Sequence, residues 1–73
     1  MNSHLGTMLK AARRRERLSQ QHVADMAGIS KSYLCELEKG RSVPSLLIAA
    51  RLSTVLDVSI GSMVAYLLKG AKG

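Results

Sequence analysis

A chain of 73 residues has room for one domain with a modest core, since a domain of this size buries only about 60% of the surface its unfolded form exposes. A single cysteine, Cys35, excludes an internal disulfide, and His4 and His22 match no zinc spacing, so helix packing and self-association are left to stabilise it. Eleven Lys and Arg against five Asp and Glu give a net charge of +6, which suits a polyanionic partner, while Tyr33 and Tyr66 are too few aromatics to stack a single strand. The basic excess leans toward the first half, with eight bases and four acids through Arg41 and three bases and one acid after it. No apolar stretch approaches the roughly 20 residues of a membrane span. No basic segment followed by an apolar one opens the chain as a secretion signal would. The expectation is a cytoplasmic, reduced protein that needs no membrane, metal, cofactor or small-molecule ligand.

The pattern is all-α, with five short helices separated by turn signals and no alternation of the β type. The first is predicted over residues 5–17. Leu5, Met8, Leu9 and Ala12 recur at helical spacing as its buried stripe, and Lys10, Arg14, Arg15 and Arg17 form an outer face read as solvated. Ser19 caps a second helix over residues 20–27, with Val23, Ala24 and Ala27 inward and Gly28 as its left-handed stop. Ser30 caps a third over residues 31–39, with Leu34 and Leu37 inward, and Gly40 closes it. After Pro44, Ser45 caps a fourth that runs to Leu56, its inner face assigned to Leu46, Ala49, Leu52 and Leu56, and Asp57 stands where a left-handed residue is wanted. Ser59 caps a fifth over residues 60–68, and the tail from Lys69 to Gly73 is expected to fray.

Two short helices that cross closely at a tight turn need a small residue at the crossing, a turn residue that accepts positive φ, and apolar residues that lock the corner. Ala24, Gly28, Ile29, Leu34 and Leu37 meet these needs within residues 20–39, a strong signal for a helix-turn-helix. With the LSQ entry to the second helix, the AGIS turn, the LEKGR stretch and the Pro44-Ser45 entry to the fourth, residues 5–68 resemble the Cro/cI-type helix-turn-helix family, whose fold is lambda-repressor-like. That resemblance implies a compact five-helix domain filling the chain. It also implies a prokaryotic or phage-encoded transcription regulator that binds double-stranded DNA in the major groove as a dimer. The family often has Gly where Asp57 stands, and usually polar residues near Leu47 and Ile48.

In such docking the start of the second helix of the motif meets base edges. Ser30, Lys31 and Ser32 open that helix, and Glu36 follows one turn after Ser32. Lys31 suits guanine O6 or N7, and Ser32 suits several edges. Glu36 either accepts from cytosine N4 or is a surface carboxylate paired with Lys39 or another base. The resemblance gives Gln20, Arg41 and Ser42 to the phosphate backbone, with Gln20 also bracing the recognition helix. The Tyr33 hydroxyl either reaches a phosphate or packs by the loop after the third helix. Arg13 and Glu38 look like the family's partly buried ion pair between the first and third helices. Cys35 adjoins the reading face as a small packed residue more readily than as a redox sensor, and His4 and His22 face solvent.

One short helix discriminates too few base pairs, so a two-fold dimer is expected. Leu47, Ile48, Ile60, Met63, Val64 and Leu67 exceed what a single core needs and are assigned to its interface. A repressor acting on a palindromic operator follows, with little chain left over for a ligand-sensing domain. Restriction–modification controllers and phage repressors both fit. The rival reading is an antitoxin-type module whose main partner is protein. An enzyme is excluded: no Ser/His/Asp set, phosphate loop or paired carboxylates stand beside a credible pocket.

Overall fold

The computed structural model describes residues 4–70, and their side chains through residue 68. Five helices follow in order: α1 His4–Arg15, α2 Gln20–Ala27, α3 Lys31–Glu38, α4 Leu46–Leu56 and α5 Ile60–Gly70. Among the described residues there is no strand. All four predicted caps form. The hydroxyls of Ser19, Ser30, Ser45 and Ser59 accept from the backbone N–H groups of His22, Tyr33, Ile48 and Ser62 at 3.0–3.2 Å. Each satisfies one donor that the first helical turn leaves without an intrahelical partner.

Two helix ends use a left-handed residue other than glycine. Asp57 closes α4 at φ 55°, as its position predicted. Arg17 stands at φ 59°, and there the structure corrects the predicted end of the first helix. The Leu18 N–H donates back to the Arg13 carbonyl at 3.1 Å and the Arg17 N–H to Arg14 at 3.0 Å. That closure stops α1 at Arg15 rather than Arg17. At the other end of the chain α5 continues to Gly70, past the predicted stop at residue 68, and the rest of the expected frayed tail lies outside the described residues.

The core is one cluster. Leu5, Leu9 and Ala12 of α1 meet Val23, Ala24 and Ala27 of α2, Leu34 and Leu37 of α3, Ala49, Leu52 and Leu56 of α4, and Met63 of α5. Three assignments change. Leu46 is 67% exposed and not on the inner face of α4, whose buried phase is Ala49, Leu52, Ser53 and Leu56. Ile48 is half-buried against the core. Met63 is 0% exposed, so it packs within the protomer and drops out of the expected dimer contact. Arg15, assigned to the solvated face, donates through its guanidinium to the Leu56 carbonyl at 3.2 Å, where α4 leaves acceptors open.

Candidate nucleic-acid interface

The corner between α2 and α3 is built as its residue types require. Gly28 stands at φ 71°, ψ 32°, and the Ile29 N–H donates to Ala24 at 3.0 Å, folding the chain back over the end of α2. Ala24 is fully buried at the crossing, so nothing larger than a methyl separates the helices. The turn leaves the first turn of α3 outward: Ser30, Lys31 and Ser32 are exposed.

Lys31, Ser32, Cys35 and Glu36 of α3 join Gln20 of α2 along an open groove of about 460 Å³. One cation, one hydroxyl, one carboxylate and one thiol thus point to the same space, a mixed set of donors and acceptors. Ser30 gives one lone pair to its cap, which leaves its O–H available to donate. Glu36 lies 3.8 Å from Arg41, not beside Lys39, and both side chains are substantially exposed, so the pair is weak. Arg41 and Ser42 follow the end of α3, where the Arg41 N–H donates to the Glu36 carbonyl at 2.9 Å. Tyr33 is half-buried, its ring packed against the edge of the core.

A polar network holds α3 in place. Arg13 of α1 reaches Glu38 with two parallel bonds, Nε to Oε2 at 2.7 Å and Nη2 to Oε1 at 3.1 Å. Its Nη1 donates to the Leu18 carbonyl at 3.0 Å. Gln20 Nε2 donates to Glu38 Oε1 at 3.0 Å, so the Gln20 side chain braces α3 from the edge of the groove, and its second amide N–H and its backbone N–H at the helix start remain for an anion. The hydrogen-bonded Glu38 carboxylate raises the Arg13 pKa above its already high ordinary value; burial lowers it and the opposite charge adds to the rise. The guanidinium stays cationic wherever the fold persists. No buried polar side-chain atom among the described residues lacks a partner.

Residues 9–62 match the family profile described as Helix-turn-helix. The chain belongs to that family, in its Cro/cI type. The helix-turn-helix chain is 32% identical over 60 residues to the immunity repressor protein of Bacillus phage phi105, an overlap of 82% of this chain and 42% of the repressor. It thus spans less than half of that relative, and about half to three fifths of several others. Among solved structures it is similar to the restriction-modification controller protein C.AhdI of Aeromonas hydrophila, with 30% identity, a TM-score of 0.79, and 84% and 92% of the two chains covered. It is also similar to SinR, the master regulator for biofilm formation, solved in complex with DNA: 33% identity, TM-score 0.76, 82% and 97% covered. These relatives are a repressor, a controller protein and a regulator.

Two structural residues escaped the sequence reading. Gly6 lies where α1 touches the carbonyls at the end of α3, and only the fold brings them together. Arg15, noted above, reaches a carbonyl 41 residues away. Among the described residues no helix is long and apolar enough to cross a membrane, and no three His, Cys, Asp or Glu side chains gather to hold a metal ion.

Proposed function

We propose that this helix-turn-helix chain is a sequence-specific, double-stranded-DNA-binding transcription regulator, a repressor that acts as a homodimer on a palindromic operator in a prokaryotic or phage-infected cytoplasm. The observation that carries the reading is the groove: α3 presents Lys31, Ser32 and Glu36 outward beside Gln20 while Arg13 and Glu38 hold its far end against α1. Lys31 donates to guanine, Ser32 adapts to several edges, and Glu36 accepts from cytosine once Arg41 moves to a phosphate. The Gln20 backbone, Ser42 and the Tyr33 hydroxyl complete the backbone contacts, which position the chain without reading sequence.

Selection of bound duplexes from a random DNA pool tests the reading, and a palindrome with half-sites about 34 Å apart is the expected result. Recovery of no preferred sequence ends it. Lys31→Ala is expected to relax preference at one base pair per half-site by about 1–3 kcal/mol, whereas Arg41→Ala weakens all sequences alike. Competitive titration against single-base variants distinguishes the two.

Support for the dimer comes from α5. Ile60 and Leu68 are 45% and 67% exposed, and Val64 and Leu67 are half-buried between them, an apolar stripe at helical spacing. Leu47 on α4 is 61% exposed and is a further apolar side chain open to a partner. Ile60→Glu with Leu68→Glu places charge there without entering the core. Sedimentation is expected to show a monomer that keeps its fold and binds the palindrome at least about tenfold more weakly, since a second protomer no longer adds its contacts. A variant that still sediments as a dimer would move the interface elsewhere.

A further inference from the structure

The charges of the chain are unevenly satisfied. Glu38 holds Arg13, Glu16 lies 3.5 Å from Arg15, and Glu36 lies 3.8 Å from Arg41. Asp25 accepts from Gln21 and Asp57 closes α4, so every acidic residue of the chain has a local role. Like Arg17, Lys31, Lys39 and Arg51, Lys10 and Arg14 make no ion pair with any described residue. They stand one turn apart on the exposed side of α1, a spacing at which like charges repel. An arrangement that costs the free protein something and is served by no internal acid fits an external anion.

The surroundings say which anion. Lys10 and Arg14 line an open cleft of about 350 Å³ with Thr7 and Ala11, and its far wall is Glu38. Glu38 is charge-compensated by Arg13 and is hydrogen-bonded to Gln20. Gln20 in turn lines the groove of α3. The cleft and the groove therefore border the same three-residue network from two sides. A duplex seated on the groove would meet that network on one side, and Lys10, Arg14 and the Thr7 hydroxyl lie on its other side.

We infer that Lys10 and Arg14, assisted by Thr7, are a second grip on duplex DNA, holding backbone phosphates outside the bases that α3 reads. The inference rests on the reading of the groove as a DNA surface. It assigns the first helix a share of affinity and none of sequence preference, because phosphate contacts carry no base information.

The test is the double variant Lys10→Gln/Arg14→Gln, measured by fluorescence anisotropy across a salt series. The probes are a duplex of about 30 base pairs with the pool-selected site at its centre, the same site trimmed of its flanks, and a random duplex of equal length. On the long duplexes the plot of log affinity against log salt is expected to flatten by about 1.8 per protomer, roughly 0.9 for each phosphate released. Between 50 and 200 mM salt the wild type then loses about tenfold more affinity per protomer than the variant. Base preference stays the same, and on the trimmed site the two proteins converge. The charge-keeping variant Lys10→Arg/Arg14→Lys retains the wild-type slope, and melting followed by circular dichroism shows both variants folded. A long-duplex slope equal to that of the wild type overturns the inference and leaves an acidic protein as the partner of this face. Failure of the wild type to bind any duplex overturns the underlying reading instead, and is seen before any variant is made.

Discussion

Glu38→Ala is expected to lower stability by about 3 kcal/mol, the lower end for one partner removed from a buried pair, because Arg13 keeps 13% of its side-chain surface in solvent. The loss has two parts. Arg13 is left with its charge and only the Leu18 carbonyl, and the Gln20 amide loses the oxygen it donates to. A domain of this length carries about 4–11 kcal/mol in all, so the variant gives up between about a quarter and three quarters of its stability. Thermal melting should fall by roughly 12–24 °C. Glu38 is only 8% exposed as a residue, so water cannot replace the carboxylate cheaply.

The informative comparison removes both charges. Arg13→Met/Glu38→Leu takes out the pair and fills its volume, and such replacements are often neutral or stabilising. With Gln20 left short of one bond, the double variant is expected within about 1–2 kcal/mol of the wild type. Its DNA affinity should nevertheless fall, because the bidentate geometry that fixes α3 against α1 is gone while the apolar contact allows sliding. A double variant as unstable as Glu38→Ala would mean that the site matters for shape rather than for paired charge.

The features legible in the sequence are those set within a few residues. Ser19, Ser30, Ser45 and Ser59 each cap through a hydrogen bond three residues on, so the helix starts were readable. Gly28 was readable because one residue type favours its φ. Arg17 adopts the same region without the side chain that advertises it, and the end of α1 was misplaced by two residues. Apolar side chains show that a face is buried, but not which of two adjacent phases wins. Leu46 and Ile48 exchanged roles because Ala49 and Leu52 set the buried direction of α4 and Ile48 lies nearer to it. Met63 on α5 is indistinguishable in type from its neighbours on the exposed stripe, and its burial follows only from the packing of α5 on α1 and α4. In the site, residues along α3 were legible from the motif. The brace by Gln20 was legible from the resemblance, but its acceptor Glu38 and the cleft at Lys10 and Arg14 were not, since both depend on how α1, α2 and α3 meet.

Gly6 and Gly61 give the second large prediction, as a pair with opposite signs. Both lie within helices, where replacing glycine by alanine is worth up to about 1 kcal/mol in backbone propensity. At Gly61 a methyl meets nothing within 4 Å, so Gly61→Ala should be stabilising by about 0.5–1 kcal/mol. At Gly6 the same methyl would stand 2.5 Å from the Glu38 carbonyl oxygen and 2.6 Å from that of Leu37. These are backbone atoms of the last turn of α3, and no rotamer change relieves them. Either α1 moves away or α3 loses its final turn, and overpacking of this kind costs about 1–3 kcal/mol or more. Gly6→Ala is therefore expected to be net destabilising by about 2 kcal/mol despite the propensity gain, a fall in melting temperature of roughly 8–16 °C. The same displacement shifts Arg13 from Glu38 and Lys10 from its cleft, so DNA affinity should drop even well below the melting temperature, where the variant is fully folded. Equal melting temperatures for the two alanine variants would show that α1 does not approach α3 so closely, and with that the seating of the recognition helix would need another explanation.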